Sequence, residues 1–175
     1  DRPGLIIDNT NITWRDIDLR VDAMCCALTK LGIVKGDKIL VHGKNTQQLF
    51  ESCWVAFRLG CVWVPTNFRL TPPEVAYLGS SSQASVMMVE DGFRDHIDAV
   101  RASSQTLQHV IVIGQPQVGE LSYEAMVTQY LGQQAEEASV SYDDPLWFFY
   151  TSGTTGRPKA GILTHGQMAF VVTNH

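Results

Sequence analysis

Short apolar runs that alternate with helix-like segments place the strongest constraint on the fold of this chain. One run, Lys38–Val41, precedes a helix-like segment that begins near Asn45. A second run, Cys61–Val64, follows that segment and ends at Pro65. Apart from Lys38, both runs are continuously apolar, which is typical of strands buried on both faces. The order strand, helix, strand predicts a parallel pair with a right-handed crossover.

Local capping signals predict where the helices begin. Thr13 and Asp16 form a capping-box pattern, and we expect a helix from there to Gly32. We expect Asn45 to cap a second helix that ends before Gly60 and packs its apolar side on the core. That side carries Leu49, Phe50, Cys53, Trp54 and Phe57.

The remainder of the chain continues the alternation. A third helix is predicted from Thr71, with Pro72 at its first position, to about Leu78. Further elements are predicted, in order, at Ser85–Val89 (strand), Asp91–Arg101 (helix), His109–Ile113 (strand), Ser122–Tyr130 (helix), Leu146–Tyr150 (strand), Ala160–Thr164 (strand) and from about Gly166 (helix). This pattern predicts an α/β layered fold with a largely parallel sheet flanked by helices.

Composition narrows the classes of function. The 175 residues are enough for one domain with a core, and 45% of them are apolar. A net charge of −5 without a basic patch argues against nucleic acid as a main partner. No apolar run approaches the roughly 18 residues of a membrane span. The four cysteines lack metal-ligand spacing, and we interpret them as buried free thiols, which suits the cytoplasm.

The most informative segment for function is a hydroxyl-rich loop near the end of the chain. The aromatic run Trp147–Tyr150 leads into Thr151–Gly156, and the segment closes on Arg157-Pro158-Lys159. Glycine allows backbone N–H groups to converge on an anion, hydroxyls donate to phosphate oxygens, and lysine adds a positive charge. The spacing differs from the usual P-loop, because an expected strand follows instead of a helix. We therefore predict a strand–loop–strand phosphate-binding element; the alternative is a solvated flexible loop.

Several aromatic and polar residues have a plainer structural interpretation. We expect the four tryptophans to lie in the core, and we expect His42, His96 and His109 to be surface or hydrogen-bonded core residues. Asn67 and Arg69 follow a strand end, where a structural turn is favoured over a functional loop. A substrate-side role remains open for His165, because it follows the phosphate loop in sequence.

The segment from Tyr150 to Lys159, continuing to Thr164-His165-Gly166, resembles the phosphate-binding signature of the adenylate-forming enzymes. That superfamily holds acyl-CoA synthetases, firefly-luciferase-like enzymes and the adenylation domains of nonribosomal peptide synthetases. Looser similarity covers Thr13–Asp16, Leu31–Lys38, Leu59–Asn67 and Arg69–Thr71. One departure is Ala160-Gly161, where the family often has glycine followed by a β-branched residue.

The resemblance implies a two-step reaction that uses ATP, Mg²⁺ and coenzyme A. A carboxylate attacks the α-phosphorus of ATP, and a thiol then takes the acyl group. The resemblance implies that the β- and γ-phosphates are bound by Ser152, Gly153, Thr154, Thr155 and Gly156. Thr151 is assigned to the loop and to the metal. Lys159 is assigned to phosphate, with a local salt bridge as the alternative.

The resemblance also implies that residues 1–175 are the N-terminal part of a larger domain, with the remainder and a C-terminal domain absent. No catalytic residue is assigned here, and we expect the piece alone to be inactive. The parent is expected to be a fatty-acid-type acid–CoA ligase, since Asn67–Thr71 resembles that branch. The alternatives are an amino-acid adenylation domain, a luciferase-like member, or a non-catalytic nucleotide-binding or scaffold protein. Its partners are expected to be a carboxylic acid, ATP and coenzyme A, and a homo-oligomer is left open.

Overall fold

A seven-stranded sheet covered by helices on both faces forms the body of the protein. The structure is a computed structural model that describes residues 2–151 and 156–174. The strands are β1 (Pro3–Ile7), β2 (Thr10–Thr13), β3 (Lys38–His42), β4 (Val62–Thr66), β5 (Val86–Glu90), β6 (His109–Ile113), β7 (Leu121–Ser122), β8 (Pro145–Thr151) and β9 (Lys159–Thr164). The helices are α1 (Trp14–Lys30), α2 (Gln47–Arg58), α3 (Pro72–Ser82), α4 (Arg94–Ser103), α5 (Tyr123–Tyr130) and α6 (His165–Asn174).

The sheet has the strand order β7-β6-β5-β3-β4-β8-β9. Its strand pairs are parallel except for β8 and β9, which are antiparallel. The predicted parallel pair is confirmed by β3 and β4, in which Lys38 lies opposite Val62. The predicted α/β class with a largely parallel sheet is therefore confirmed.

Alternate residues of each central strand enter opposite cores. Ile39 and Val41 of β3 pack with α1, α2 and α5 on one face. Leu40, between them, packs with α3 and α4 on the other. Because both faces are covered, strands of this kind need continuous apolar runs, which is the pattern that the sequence shows.

The capping signal of the first helix is confirmed. The backbone N–H of Asp16 donates to the Thr13 hydroxyl at 3.1 Å, and the N–H of Thr13 donates to the Asp16 carboxylate at 3.2 Å. These reciprocal bonds satisfy donors that a helix start leaves unpaired. α3 begins at the predicted capping box but continues to Ser82, four residues beyond the predicted end at Leu78.

The second helix differs from the prediction in its start and in its buried side. Its N-cap is Thr46 instead of Asn45. The predicted apolar side is only half-buried, and Trp54 is 40% exposed. The fully buried side carries Glu51, Ser52, Val55 and Ala56. Trp14 is also 46% exposed, so the expectation of core tryptophans is wrong for these two.

A buried carboxylate explains the orientation of α2. Glu51 is fully buried and accepts hydrogen bonds from Arg20 Nε at 2.6 Å, Gln47 Nε2 at 2.7 Å and Tyr123 Oη at 3.0 Å. Arg20 also forms an ion pair with Glu124 at 2.7 Å. This Glu51 network joins α1, α2 and α5, because its members lie on all three helices. Burial, followed by the charge of Glu51, raises the pKa of Tyr123.

The hairpin of β1 and β2 was not predicted. Its turn places Asp8 and Asn9 at φ values of +48° and +63°. Asp and Asn tolerate this left-handed conformation, which two-residue hairpin turns require. The dipeptide was therefore a signal for the hairpin that sequence reasoning overlooked.

The cysteines are free, as predicted. Cys25 and Cys61 are buried, whereas Cys26 and Cys53 are only partly buried, so the predicted burial is wrong for these two. Burial raises the pKa of Cys61 to about 12. Within residues 2–151 and 156–174, no helix combines the length and apolar character needed to cross a bilayer.

Candidate phosphate-binding site

The candidate loop connects two antiparallel strands. β8 and β9 pair along their length, and Thr151 lies opposite Lys159 at the loop end of the pair. β8 also runs parallel to β4, so the loop leaves the carboxyl end of a parallel strand. Open α/β sheets bind ligands at this edge. Four residues that the sequence assigns to phosphate, Ser152, Gly153, Thr154 and Thr155, lie outside the described residues.

Gly156 follows those residues at the exit of the loop. Its φ is +105°, a conformation that side chains of L-residues rarely adopt. Among the described residues other than its chain neighbour, no heavy atom lies within 4 Å of the position that a Cβ would occupy there. The requirement for glycine at this position therefore comes from the backbone conformation and not from lack of space.

Helix α3 contacts the residues that enter and leave the loop. The hydroxyls of Ser81 and Tyr150 share a hydrogen bond of 2.7 Å on the entry side. On the exit side, Tyr77 Oη donates to the carbonyl oxygen of Pro158 at 3.3 Å. The Arg157 guanidinium lies 5.5 Å from the centre of the Tyr77 ring, within cation–π range. One face of α3 thus holds both ends of the loop.

Sequence reasoning missed Tyr77 and Ser81. They are four residues apart on α3 and therefore share one face of the observed helix, but the predicted helix ended at about Leu78, before Ser81. Nothing local indicates that this face meets a loop about 80 residues further along the chain.

The pKa of Tyr150 is raised by its burial against α3.

Thr151 and Lys159 are both exposed at the loop end of the strand pair. Lys159 forms no ion pair with any residue in the described part of the chain. The four residues 152–155 carry no carboxylate either. The alternative of a local salt bridge therefore has no partner among the described residues, and phosphate binding by Lys159 stays a prediction.

A pocket of about 320 Å³ lies between the ends of the loop and the connection from β4 to α3. Its walls include, on one side, Pro65, Thr66, Asn67 and Leu70 and, on the other, Tyr150, Thr151 and Pro158. The β4–α3 connection therefore faces the residues that enter and leave the loop across this pocket.

The β4–α3 connection is a tight turn. The Asn67 side chain accepts from the N–H of Arg69 at 2.9 Å, and the N–H of Leu70 donates to the Asn67 carbonyl at 3.0 Å. The Arg69 guanidinium lies 5.2 Å from the centre of the Phe68 ring. The structural interpretation of Asn67 and Arg69 is thus consistent with their geometry.

His165 lies far from the loop. Thr164 pairs with Pro145, at the opposite end of β8 from Thr151. Six residue steps along a strand span about 20 Å. The N–H of His165 donates to the Asp144 carbonyl at 3.0 Å, and burial lowers the pKa of its ring. The structure therefore does not bring His165 to the phosphate loop.

The described residues contain no group of three or more His, Cys, Asp or Glu side chains arranged to hold a metal ion. Thr151 can offer a hydroxyl, and hard cations such as Mg²⁺ accept oxygen ligands. Mg²⁺ in nucleotide sites takes most of its ligands from phosphates and water. A single threonine hydroxyl at the loop fits that role.

Comparison with known proteins identifies a family and several relatives of similar sequence. The sequence model of the AMP-binding enzyme family matches residues 1–175. The chain is 32% identical to the indoleacetate–CoA ligase of Aromatoleum aromaticum over 88% of its length. It is 32% identical to the crotonobetaine/carnitine–CoA ligase of Salmonella typhimurium over 97%. It is 27% identical to a fatty acid–[acyl-carrier-protein] ligase of Streptomyces coeruleorubidus over 93%.

Solved structures show the same architecture. The anthranilate CoA ligase AuaEII in complex with anthranoyl-AMP matches 99% of the chain with a TM-score of 0.92 and 26% identity. A fatty acyl CoA synthetase of Mycobacterium tuberculosis matches 89% with a TM-score of 0.77 and 28% identity. The chain spans 33% and 30% of these two structures. It spans 30%, 35% and 30% of the three curated relatives.

Proposed function

This chain belongs to the AMP-binding enzyme family, and from that premise we propose that the protein containing it is an ATP-dependent carboxylic acid–thiol ligase. The observation that carries the proposal is the hydroxyl-rich loop at the carboxyl edge of the sheet, in a chain similar along nearly its whole length to acid–CoA ligases. In the proposed reaction a carboxylate oxygen bonds to the α-phosphorus of ATP, and pyrophosphate leaves. The sulfur of coenzyme A then attacks the acyl carbon and AMP leaves.

The main physical demand of the first step is the handling of negative charge. The carboxylate and the triphosphate are both anionic, and pyrophosphate leaves with additional charge. Fixed donors aimed at that charge act without reorganisation during the reaction. We assign this role to Ser152, Gly153, Thr154, Thr155, Gly156 and Lys159. Mg²⁺, when bound, neutralises part of the triphosphate charge, and Thr151 would supply one oxygen to it.

The contacts with α3 support this assignment. Donors are most effective when they are already in place, and a loop without support loses that advantage. Tyr150 is held by Ser81 and Pro158 by Tyr77, so both ends of the loop are fixed. The exposed ammonium group of Lys159 lies at the exit, where a phosphate can reach it.

We propose a fatty or related carboxylic acid as the substrate. The relatives are named for a fatty acid, indoleacetate and crotonobetaine or carnitine, which share a carboxylate and differ in the attached group. The proposed acceptor is coenzyme A, and the proposed location is the cytoplasm, where thiols such as the four cysteines stay free. Residues 1–175 would then be part of a larger nucleotide-binding domain, and we expect the piece alone to lack turnover.

The test is carboxylate-dependent exchange of pyrophosphate into ATP by the full-length protein. The acids tested should include fatty, aromatic and amino acids, followed by an assay for the coenzyme A thioester. Exchange with one class of acid together with thioester formation is the expected result. Exchange with amino acids alone would indicate a peptide-synthetase-like protein. The absence of exchange with every acid, in folded protein that binds Mg-ATP, would contradict the proposal in favour of a non-catalytic nucleotide-binding protein.

A further inference from the structure

Two stacked histidines lie behind the pocket at the carboxyl end of β3. The rings of His42 and His96 have centroids 4.4 Å apart and planes 28° from parallel. The Phe93 ring meets His42 edge-on, with centroids 4.5 Å apart. His42 is fully buried. Full burial is unusual for a histidine. The role of the two rings is inferred from the hydrogen bonds that they form.

The hydrogen bonds fix the position of the proton on each ring. The Thr66 hydroxyl lies 3.0 Å from the Val41 carbonyl oxygen, which only accepts, and 2.6 Å from His42 Nδ1. When the hydroxyl donates to that carbonyl, its oxygen accepts from His42, and on this ground we assign the ring proton of His42 to Nδ1. His96 Nε2 lies 2.8 Å from the Leu70 carbonyl oxygen, which only accepts, so His96 is protonated at Nε2.

These two bonds hold the two ends of the β4–α3 connection. Thr66 is the last residue of β4, and Leu70 directly precedes Thr71, the N-cap of α3. Both contribute to the pocket wall that faces Thr151. The other ring nitrogens, His42 Nε2 and His96 Nδ1, are buried without a partner among the described residues. The stacked pair thus directs one donor to each end of the wall.

We propose that His42 and His96 are positioning residues that set the pocket wall opposite the phosphate loop. This inference rests on the proposed function, since it concerns the site at which ATP would react. Neither ring touches the pocket, and each acts through the residue to which it donates. Loss of either donor releases one end of the wall and loosens the fit of the nucleotide beside Thr151.

Asparagine and glutamine distinguish donation from simple packing. The amide nitrogen of asparagine reaches about as far from the backbone as Nδ1 of histidine, and that of glutamine reaches about as far as Nε2. His42→Asn and His96→Gln therefore keep the donor, whereas His42→Gln and His96→Asn lose it. All four substitutions remove the ring stacking, so that loss cancels within each pair.

The experiment measures KM for ATP and kcat in pyrophosphate exchange by the four full-length variants. We expect KM to rise about fivefold in His42→Gln and His96→Asn, the effect of one lost hydrogen bond, with kcat changed less. His42→Asn and His96→Gln should stay near the unsubstituted protein. Equal effects within each pair, or no effect in any variant, would overturn the proposal.

Amide hydrogen exchange of residues 66–71 separates this inference from the proposed function. The segment should exchange faster in the two variants that lose the donor and not in the two that keep it. If the unsubstituted protein shows no carboxylate-dependent exchange of pyrophosphate into ATP and this pattern of amide exchange still appears, the proposed function is wrong and the positioning role holds. If activity is present and the amides of all four variants exchange alike, the positioning role is wrong.

Discussion

The Glu51 network and the ends of the phosphate loop are stabilised in opposite ways. Glu51 is fully buried and receives donors from Arg20, Gln47 and Tyr123. Beyond the pairing of β8 with β9, the loop ends are held by one helix, through two hydroxyl hydrogen bonds and one cation–π contact. The strands beside them leave Phe149 51% and Ile162 53% exposed.

The contrast separates two tasks of one domain. A buried charge with several donors is costly to disturb, so the Glu51 network behaves as scaffold. Segments with few buried contacts open at lower free energy, and ligand-binding loops belong to that class. Substitutions in the first region should therefore change stability, and substitutions in the second should change ligand binding or rate.

The largest effect on stability is expected from Arg20→Ala. It leaves the Glu51 carboxylate buried without its cation, a loss of about 3–5 kcal/mol in the free energy of unfolding. Urea unfolding of the full-length protein measures it. The matched control is Glu124→Ala, which removes the half-exposed partner of the same arginine and should cost less than about 1 kcal/mol. Similar losses in the free energy of unfolding in both variants would contradict the view that the buried Glu51 contributes more to stability than the half-exposed Glu124.

The corresponding test of the loop is Thr154→Ala and Thr155→Ala in the full-length protein. Each removes a proposed donor to the leaving pyrophosphate, and one such donor is worth about 10²–10³ in rate. Single-turnover adenylation is the measurement, with the urea midpoint as the control for folding. We expect a slower rate at an unchanged midpoint. An unchanged adenylation rate in both variants would refute the assignment of the loop.

A smaller effect is expected at the contact between α3 and the loop. Tyr77→Phe keeps the ring beneath Arg157 and removes only the bond to Pro158, whereas Tyr77→Ala removes both. We expect KM for ATP to rise about fivefold in the first variant, for one hydrogen bond, and further in the second. Thermal unfolding should change little in Tyr77→Phe. Identical KM values in the two variants would show that the ring does not support the loop.

The smallest effect is a dependence of stability on pH. Burial, and secondarily the charge of His96, lowers the pKa of His42 to about 4, below the ordinary value of 6.5. The folded protein keeps this ring neutral while the unfolded chain takes up a proton, so the contribution is complete above pH 6.5 and is lost as the pH falls towards 4. We expect a loss of about 1 kcal/mol between pH 7 and pH 5.5. The loss should be absent from urea titrations of His42→Asn.

Features with local causes were predictable from the sequence. Thr13 and Asp16 are three residues apart, and their capping box forms from their own side chains. The strand–loop–strand element was predicted because its turn residues are contiguous. The position of Thr151 opposite Lys159 follows from that arrangement.

Features with distant causes were not predictable. Trp54 was placed on the buried side of α2 because apolar residues usually face the core. The side that is buried was decided by Glu51 and its partner Tyr123, which is 72 residues away. The same limit applies to Tyr77, which is 81 residues from Pro158. Periodicity identifies the face of a helix but does not identify what will pack against it.

Helix α3 belongs to both walls of the pocket beside the loop. It begins directly after Leu70 on one wall, and it holds Tyr150 and Pro158 of the other through Ser81 and Tyr77. Because one helix anchors both walls, a rigid-body displacement of α3 moves the two walls together and leaves the width of the pocket unchanged. The width changes when a contact between α3 and one of the walls is lost.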